Sequence, residues 1–383
     1  MPATEPPQTA DVVVVGGGMA GVSVAYELAE RCSVVLLEAE TDMPVHTTGR
    51  SAAFYLPAYG NDVVRGLTAA SLETFRTLPE RVGAPPLLEP RSVLYVADDD
   101  AAPHRAHHLA TETVEPISVD GACAEFPLLR REAVTAAAID VSGSDIDVLG
   151  LHQGYVRGGR ERGVVVLRGA RATGLRRTST SWEVQTSTVT VSAAHVVNAA
   201  GAWCDEVAAL AGVPQLGLRP LRRSIFVSPV DAPSGFLRWP LLVDAAERWY
   251  AKPEGDALLA SPAEEVPHPP GSPQPDMLLI AEAMDRIRAM TTLPLRTVRT
   301  QWAGLRTFAP DRTPVVGESE PGSGFWWVAG QGGYGIQLAP ALAVELAGQL
   351  LDGRPGPFAG ALSPARFAGT ADFLSRSNII EAG

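Results

Sequence analysis

Apolar residues near the start of the chain come in short unbroken blocks separated by small-residue turns. Residues 11–15 (Asp-Val-Val-Val-Val) are a β-branched apolar run bounded by glycine, the pattern of a strand buried on both faces in a parallel sheet. After Gly16-Gly-Gly18-Met-Ala-Gly21, residues 22–31 set Val24 and Leu28 at helical spacing among small side chains, and residues 33–38 predict a second strand ending on Glu38. Together these make a βαβ unit. Texture changes between residues 78 and 139, with a short strand over 93–97, several prolines and a run bearing His104, His107 and His108. A helix is predicted over 151–162, strands over 163–168 and 170–175, and an apolar strand over 195–201 that ends in a small-residue turn. Period-two patterning over 219–227 and 248–261 predicts an antiparallel sheet with one exposed face. Residues 263–275 are proline-rich and read as an exposed loop. A last buried strand over 325–329 leads through Gly330-Gln-Gly-Gly-Tyr-Gly335 into a final helix over 336–351. There is no internal repeat and no low-complexity tract.

Composition narrows the class. With 383 residues, 46% hydrophobic and 19% charged, the chain has the make-up of a globular protein of two or three domains at ~150 residues each. Its net charge of −12 removes a general phosphate-backbone binder from consideration. Three widely spaced cysteines give neither a disulfide framework nor a zinc site and suit a reducing, cytoplasmic compartment. No apolar stretch is long enough to span a membrane, and residues 1–10 read as a disordered leader without the features of a secretion signal. The histidine run lacks carboxylate or cysteine partners, so no metal is expected. Cys204 reads as a packed small residue and not as a nucleophile.

Gly16-x-Gly18-x-x-Gly21 gains weight from its position between a strand and a helix, followed by an acid at the end of the next strand. Glycines there permit a tight turn and let backbone N–H groups approach a pyrophosphate at a helix N-terminus. Glu38 would accept hydrogen bonds from ribose hydroxyls, which disfavours a 2′-phosphate. The bland alternative is a glycine-rich turn with a solvated glutamate. Three more small-residue segments argue against it: His46-Thr-Thr-Gly-Arg-Ser-Ala-Ala53, Asn198-Ala-Ala-Gly-Ala-Trp203 and Gly330 to Gln337. Glycine-rich segments spread over the whole chain suit a buried FAD better than an exchanging nicotinamide.

On these segments, and on Ala309-Pro-Asp-Arg-Thr-Pro-Val-Val-Gly317, the chain resembles the FAD-dependent oxidoreductases of the D-amino acid oxidase type. That group includes glycine oxidase, sarcosine oxidase and D-amino acid dehydrogenases. The likeness runs over nearly the whole chain. Within the group it is greatest to the D-arginine dehydrogenases, through Thr48-Gly-Arg-Ser-Ala-Ala53, Leu67-Thr-Ala-Ala-Ser71, Gly201-Ala-Trp-Cys-Asp205, Trp302-Ala-Gly-Leu-Arg306 and Gln331-Gly-Gly-Tyr-Gly-Ile-Gln337. The resemblance implies an α/β fold: a Rossmann-type FAD-binding domain (1–78, 140–215 and 300–383) with an inserted antiparallel-sheet substrate-binding domain (79–139 and 216–299). It implies cofactor contacts from Gly16, Gly18, Met19, Ala20, Gly21, Glu38, Ala39, Thr48, Gly49, Arg50, Ser51, Ala52, Ala172, Ala200, Gly201, Trp203, Gly304, Gly332, Tyr334, Gly335, Ile336 and Gln337. Non-covalent binding is expected, although His46 stands where dimethylglycine dehydrogenases attach their flavin.

The same likeness places Arg223 and Arg306 on the substrate carboxylate, with the hydroxyls of Tyr59 and Tyr250 beside them and the Gly333 carbonyl near the amine. A planar guanidinium fork matches two carboxylate oxygens, and such orientation is a large part of catalysis. Without the resemblance, Arg223 reads as a solvated strand residue and Tyr250 as a half-buried aromatic; Arg222 is the natural control on the opposite face. Two departures matter. Val93 stands where D-arginine dehydrogenases carry the glutamate that recognises a cation, and Phe54 stands where they carry a histidine. A guanidinium buried against Val93 would lack a counter-ion at a cost of several kcal/mol, so an apolar or aromatic substrate side chain is expected.

Lys252 is the only lysine, and Leu259 falls where sarcosine oxidases keep the lysine that promotes reaction with oxygen. This favours a dehydrogenase over an oxidase, with oxygen, a quinone or another electron acceptor. The activity implied is hydride transfer from the Cα–H of a D-amino acid to flavin N5, the imine then hydrolysing to a 2-oxo acid and ammonia. Alternatives are a secondary amine or cyclic imino acid, a 2-hydroxy acid, and a flavin-binding protein without turnover. On an acidic chain, Arg223 and Arg306 would supply the local positive pocket that a carboxylate needs.

Overall fold

The computed structural model describes residues 7–98, 113–231 and 233–368. The histidine run at 104–108 lies outside the described residues. Strand β1 (Thr9–Val15) leads into helix α1 (Met19–Leu28) and strand β2 (Val34–Leu37). β1 lies between β2 and the strand Thr190–Asn198, parallel to both, in an eight-stranded sheet. Its side chains alternate between two cores. Val12 and Val14 pack with α1 and the C-terminal helix Gly335–Asp352, while Val13 and Val15 pack with Trp182, Phe325 and Trp327 on the other face. Burial on both faces is therefore what the unbroken apolar run encodes. The leader is shorter than expected, because Thr9 and Ala10 already pair with Ser192 and Ala193.

A second, ten-stranded sheet is built around the long strand Arg219–Pro229. Residues 248–261, read as one patterned stretch, form the strands Tyr250–Glu254 and Ala257–Ser261 of a hairpin. The patterning suggested one exposed face, but both faces are covered in the middle of the sheet, and exposure is confined to positions such as Glu115, Arg219, Glu254, Thr300 and Gln301. Leu94, Val96, Phe226, Leu258 and Ala260 pack under the helix Met277–Met290, while the alternate residues Val93, Tyr95, Ile225 and Leu259 form apolar clusters on the opposite face. Period two here separates two buried faces.

Strand Thr300–Phe308, grouped from sequence with the nucleotide-binding segments, pairs instead along its whole length with Arg219–Pro229. That pairing joins the first fold segment to the second, because the turn around Thr48–Arg50 is fastened to it. Thr47 Oγ1 donates to the Leu305 carbonyl (2.8 Å), Arg50 Nη1 donates to that of Ala303 (3.0 Å), and Trp302 Nε1 donates back to the Arg50 carbonyl (2.9 Å). A three-stranded sheet of Phe54–Tyr55, Leu88–Pro90 and Ser144–Ile146 completes the described sheets.

Candidate active site

One elongated cavity runs from the β1–α1 turn to the long antiparallel strands. Its first end is built by glycine. Gly16 has φ +112°, and a Cβ there would lie 2.4 Å from the Ala199 carbonyl oxygen; one on Gly21 would lie 1.7 Å from the Gly16 oxygen. No other residue fits either place. The N-cap of α1 is Gly18, which offers no side chain to the first-turn N–H groups, and these open on the cavity. Thr48 Oγ1 accepts from the Met19 amide (3.1 Å). Glu38 is held at the end of β2 by the amides of Gly17 and Glu40, each 2.8 Å from one of its carboxylate oxygens. The His46 ring lies 4.7 Å from that of Trp203, and its Nε2 is 3.0 Å from Glu40 Oε1.

The far end gathers arginine and tyrosine. Arg223 is 8% exposed; its Nε donates to the Glu264 carbonyl (2.8 Å) and its Nη2 reaches Glu265 Oε1 (3.3 Å). Arg306 comes from the neighbouring strand, with its Nη1 3.5 Å from the Tyr59 hydroxyl. Gly333 packs on its guanidinium, where a Cβ would come within 2.8 Å of Nη1. Burial and the adjacent Arg306 lower the pKa of Arg223. For Arg306, burial is outweighed by Tyr59, Tyr250 and Glu265, which raise it. Both guanidiniums stay charged at any working pH, and two partly buried cations side by side favour an anion between them. Arg222 points the other way, to Asp276 (2.8 Å) and Glu264 (3.7 Å).

Among the residues expected from sequence, Gly16, Gly18, Met19, Ala20, Glu38, Ala39, Thr48, Arg50, Ser51, Ala52, Ala172, Ala200, Gly201, Trp203, Gly304, Gly332, Gly335 and Ile336 line the cavity, as do Arg223, Tyr250, Arg306 and Gly333. Others sit elsewhere. Gln337 is turned into the core, accepting from the Leu56 amide and donating to Thr68 Oγ1 (2.9 Å each). Tyr334 is 6% exposed and meets the Tyr59 ring edge-on at 5.2 Å, so it belongs to the arginine end. Gly21 and Gly49 serve close backbone packing, the latter against Pro44. Val93 is fully buried in an apolar cluster with Phe54 and Tyr250 packed on it.

Sequence reasoning missed Glu264 and Glu265. They lie in the proline-rich stretch read as an exposed loop; Glu265 is exposed as expected yet reaches Arg223, whereas the Glu264 side chain is buried against Arg222. Ile225 and Thr47 also line the cavity without having been singled out. Lys252 is tied to Asp145 (2.6 Å) and Glu254 (3.4 Å), and directly across from it Leu259 packs in the apolar cluster with Ile225. All three cysteines are free, and among the described residues there is no group of side chains suited to a metal ion. Among those residues, too, no helix is long and apolar enough to cross a membrane.

A glycine-walled strand-to-helix turn with an acid at the end of the next strand is the arrangement of a dinucleotide-binding fold. The chain belongs to the FAD dependent oxidoreductase family (DAO), which matches residues 11–349. Dimethylglycine dehydrogenase of Rattus norvegicus is 28% identical over 91% of this chain; the chain spans only 44% of that relative's length. L-proline dehydrogenase from P. horikoshii has the same fold (TM-score 0.83, 20% identity, covering 94% of this chain and 98% of that one). Glycine oxidase from Geobacillus kaustophilus is similarly close in fold (TM-score 0.80, 21% identity, covering 94% of this chain and all of that one, 100%). The cavity suits the family's cofactor. The α1 N-terminus, capped by a glycine without a side chain, suits a pyrophosphate, Glu38 stands at the end of β2, and Gly304 leaves the strand beside Arg50 without a side chain.

Proposed function

We propose that the chain oxidises the carbon–nitrogen bond of a small amino carboxylate carrying apolar substituents, an N-alkylated amino acid first among them. The observation that carries this is the pairing of Arg223 and Arg306 at the end of the cavity remote from the glycine turn. Each can present a guanidinium edge to one carboxylate, and Tyr59 and Tyr250 can add hydroxyl donors. Around the glycine turn, the α1 amides, Thr48 and Glu38 would hold the flavin's pyrophosphate and ribose. When bound, the flavin supplies a two-electron acceptor.

Hydride loss from the carbon beside the free amine takes two electrons and one proton and leaves an iminium ion, which water cleaves to a carbonyl compound and an amine or ammonia, with release of a proton. The cavity's carboxylates (Glu38, Glu40 and Glu206) and its histidine His46 make no hydrogen bond to Arg223 or Arg306. The carboxylate that does meet the clamp, Glu265, is held by Arg312 and Arg223, and the substrate reacts as its free amine. The likeness to dimethylglycine dehydrogenase, with that to L-proline dehydrogenase, supports an alkylated nitrogen.

A second reading is a D-amino acid with an apolar side chain, in keeping with the apolar cluster of Val93, Tyr95, Phe54 and Leu56 that packs behind the cavity residue Tyr250. D-Arginine fits neither reading. The carboxylate in register with Val93 is Asp140, which is fully buried and engaged by Ser142 and Thr113. With Lys252 bound to Asp145 and an apolar Leu259 opposite, we favour an acceptor other than oxygen. We also favour non-covalent flavin, to be released on acid precipitation, and a reducing, cytoplasmic compartment in keeping with the free cysteines. Anaerobic incubation with N,N-dimethylglycine, sarcosine, L-proline and both enantiomers of apolar amino acids, with product identification, tests the reading. Formaldehyde from the N-methyl compounds supports the first form. A 2-oxo acid from D-amino acids alone would replace it by the second.

A further inference from the structure

The Ala309 to Gly317 segment plays no part in the reading above, yet one of its residues is linked through intervening side chains to both halves of the arginine pair. Arg312 closes a turn after the strand Thr300–Phe308, its amide donating to the Ala309 carbonyl (2.9 Å). Its φ is 61°, a left-handed conformation that a residue with a side chain adopts at some cost. The guanidinium lies 3.8 Å from the centre of the Phe308 ring and reaches the active site along two arms.

Through the first arm, Nη1 and Nη2 donate to Oε2 (2.9 Å) and Oε1 (2.8 Å) of Glu265, and that same Oε1 is 3.3 Å from Arg223 Nη2. Through the second, the Arg312 charge acts on the Tyr334 hydroxyl; Tyr334 packs edge-on against Tyr59, whose own hydroxyl is 3.5 Å from Arg306. Glu265 is the carboxylate that meets Arg223, and Arg312 holds both of its oxygens while Arg223 receives one at longer range. A bidentate fork is the stronger arrangement.

We infer that Arg312 is a positioning residue that withholds Glu265 from Arg223 and so keeps the paired arginines available to the substrate's carboxylate. This rests on the carboxylate-binding reading of Arg223 and Arg306. Without Arg312, the Glu265 carboxylate would turn fully to Arg223 and compete there with the ligand. If Arg312 merely braced its turn, losing it would destabilise the chain, but a second change at Glu265 would repair nothing.

The test uses flavin-loaded full-length protein and follows the flavin absorbance during titration with acetate and with benzoate. Arg312→Gln should weaken carboxylate binding about tenfold or more. Adding Glu265→Gln to that variant should restore it to within about threefold of wild type. Glu265→Gln alone should tighten binding, a result that does not depend on the Arg312 variant folding. The inference is overturned if Arg312→Gln binds like wild type, if the double variant is as weak as the single, or if Glu265→Gln alone weakens binding or leaves it unchanged. Arg223→Met separates the two levels. If wild type and Arg223→Met bind carboxylates equally, or neither binds them, the arginine clamp itself is wrong. If Arg223→Met loses binding and Arg312→Gln does not, only the role of Arg312 falls.

Discussion

Replacing Arg223 by methionine keeps an unbranched apolar stem and removes the guanidinium with its charge. Arg223 is 8% exposed; its Nε donates to the Glu264 carbonyl and its Nη2 meets Glu265 at 3.3 Å, so Nη1 and the longer-range Nη2 serve the ligand. Losing one partner of a desolvated, hydrogen-bonded ion pair costs about 2–5 kcal/mol. Arg306 remains in the variant, and removing Arg223 also relieves the repulsion between the two cations, so the lower part of that range applies. About 2–3 kcal/mol corresponds to roughly 30- to 150-fold weaker carboxylate binding, at about 1.4 kcal/mol per factor of ten. Benzoate titration followed in the flavin spectrum measures this directly. Flavin content should be normal, because the glycine turn and Glu38 lie at the other end of the cavity. Arg222→Met is the control. It breaks the pairs with Asp276 and Glu264 on the opposite face and should cost stability without touching affinity. Affinity within about threefold of wild type in Arg223→Met, or an equal loss in Arg222→Met, would refute the assignment of this face of the strand.

Gly21→Ala should abolish flavin retention, read from the ratio of flavin to protein absorbance after purification, since the added Cβ would sit 1.7 Å from the Gly16 oxygen. Gln337→Leu should lower stability to chemical denaturation by about 1–3 kcal/mol, because it orphans the Leu56 amide, while Thr68 keeps its bond to the Val64 carbonyl and the flavin spectrum stays unchanged. Lys252→Met should leave the rate at which air reoxidises the reduced flavin as it is, since Lys252 is engaged by Asp145; a marked slowing would make it the oxygen-activating group. Flavin reduction should accelerate with rising pH as the substrate amine loses its proton. Its midpoint should move when substrates of different amine basicity are compared; a fixed midpoint would reveal a protein base.

The β1–α1–β2 unit was legible because a strand buried on both faces leaves a run with no polar residue, and because Gly16 and Gly21 are irreplaceable where they stand. Other parts were not. The helix Asp62–Val82 carries Pro79 in its last turn and mixes polar with apolar residues throughout, and Met277–Met290 follows directly on a proline-rich stretch. Glu264 and Glu265 look like loop charges in the sequence; only the fold brings them onto Arg222 and Arg223. Val93 was recognisable as a substitution, but its complete burial depends on strands drawn from separate parts of the chain. Gln337 shares a segment with cavity residues and yet faces the core, a choice made by the Leu56 amide and Thr68, both far away in sequence.

The central claim is that paired arginines present an amino carboxylate for oxidation of its carbon–nitrogen bond. Anaerobic mixing of the flavin-loaded protein with matched compounds tests it most directly: N,N-dimethylglycine or an apolar D-amino acid, the same amine without its carboxylate, and the 2-hydroxy acid in place of the amine. Bleaching of the oxidised flavin band by an amino carboxylate, and far more slowly by the other two, is the predicted result. Bleaching by the hydroxy acid alone, or equally by the amine lacking a carboxylate, would contradict it.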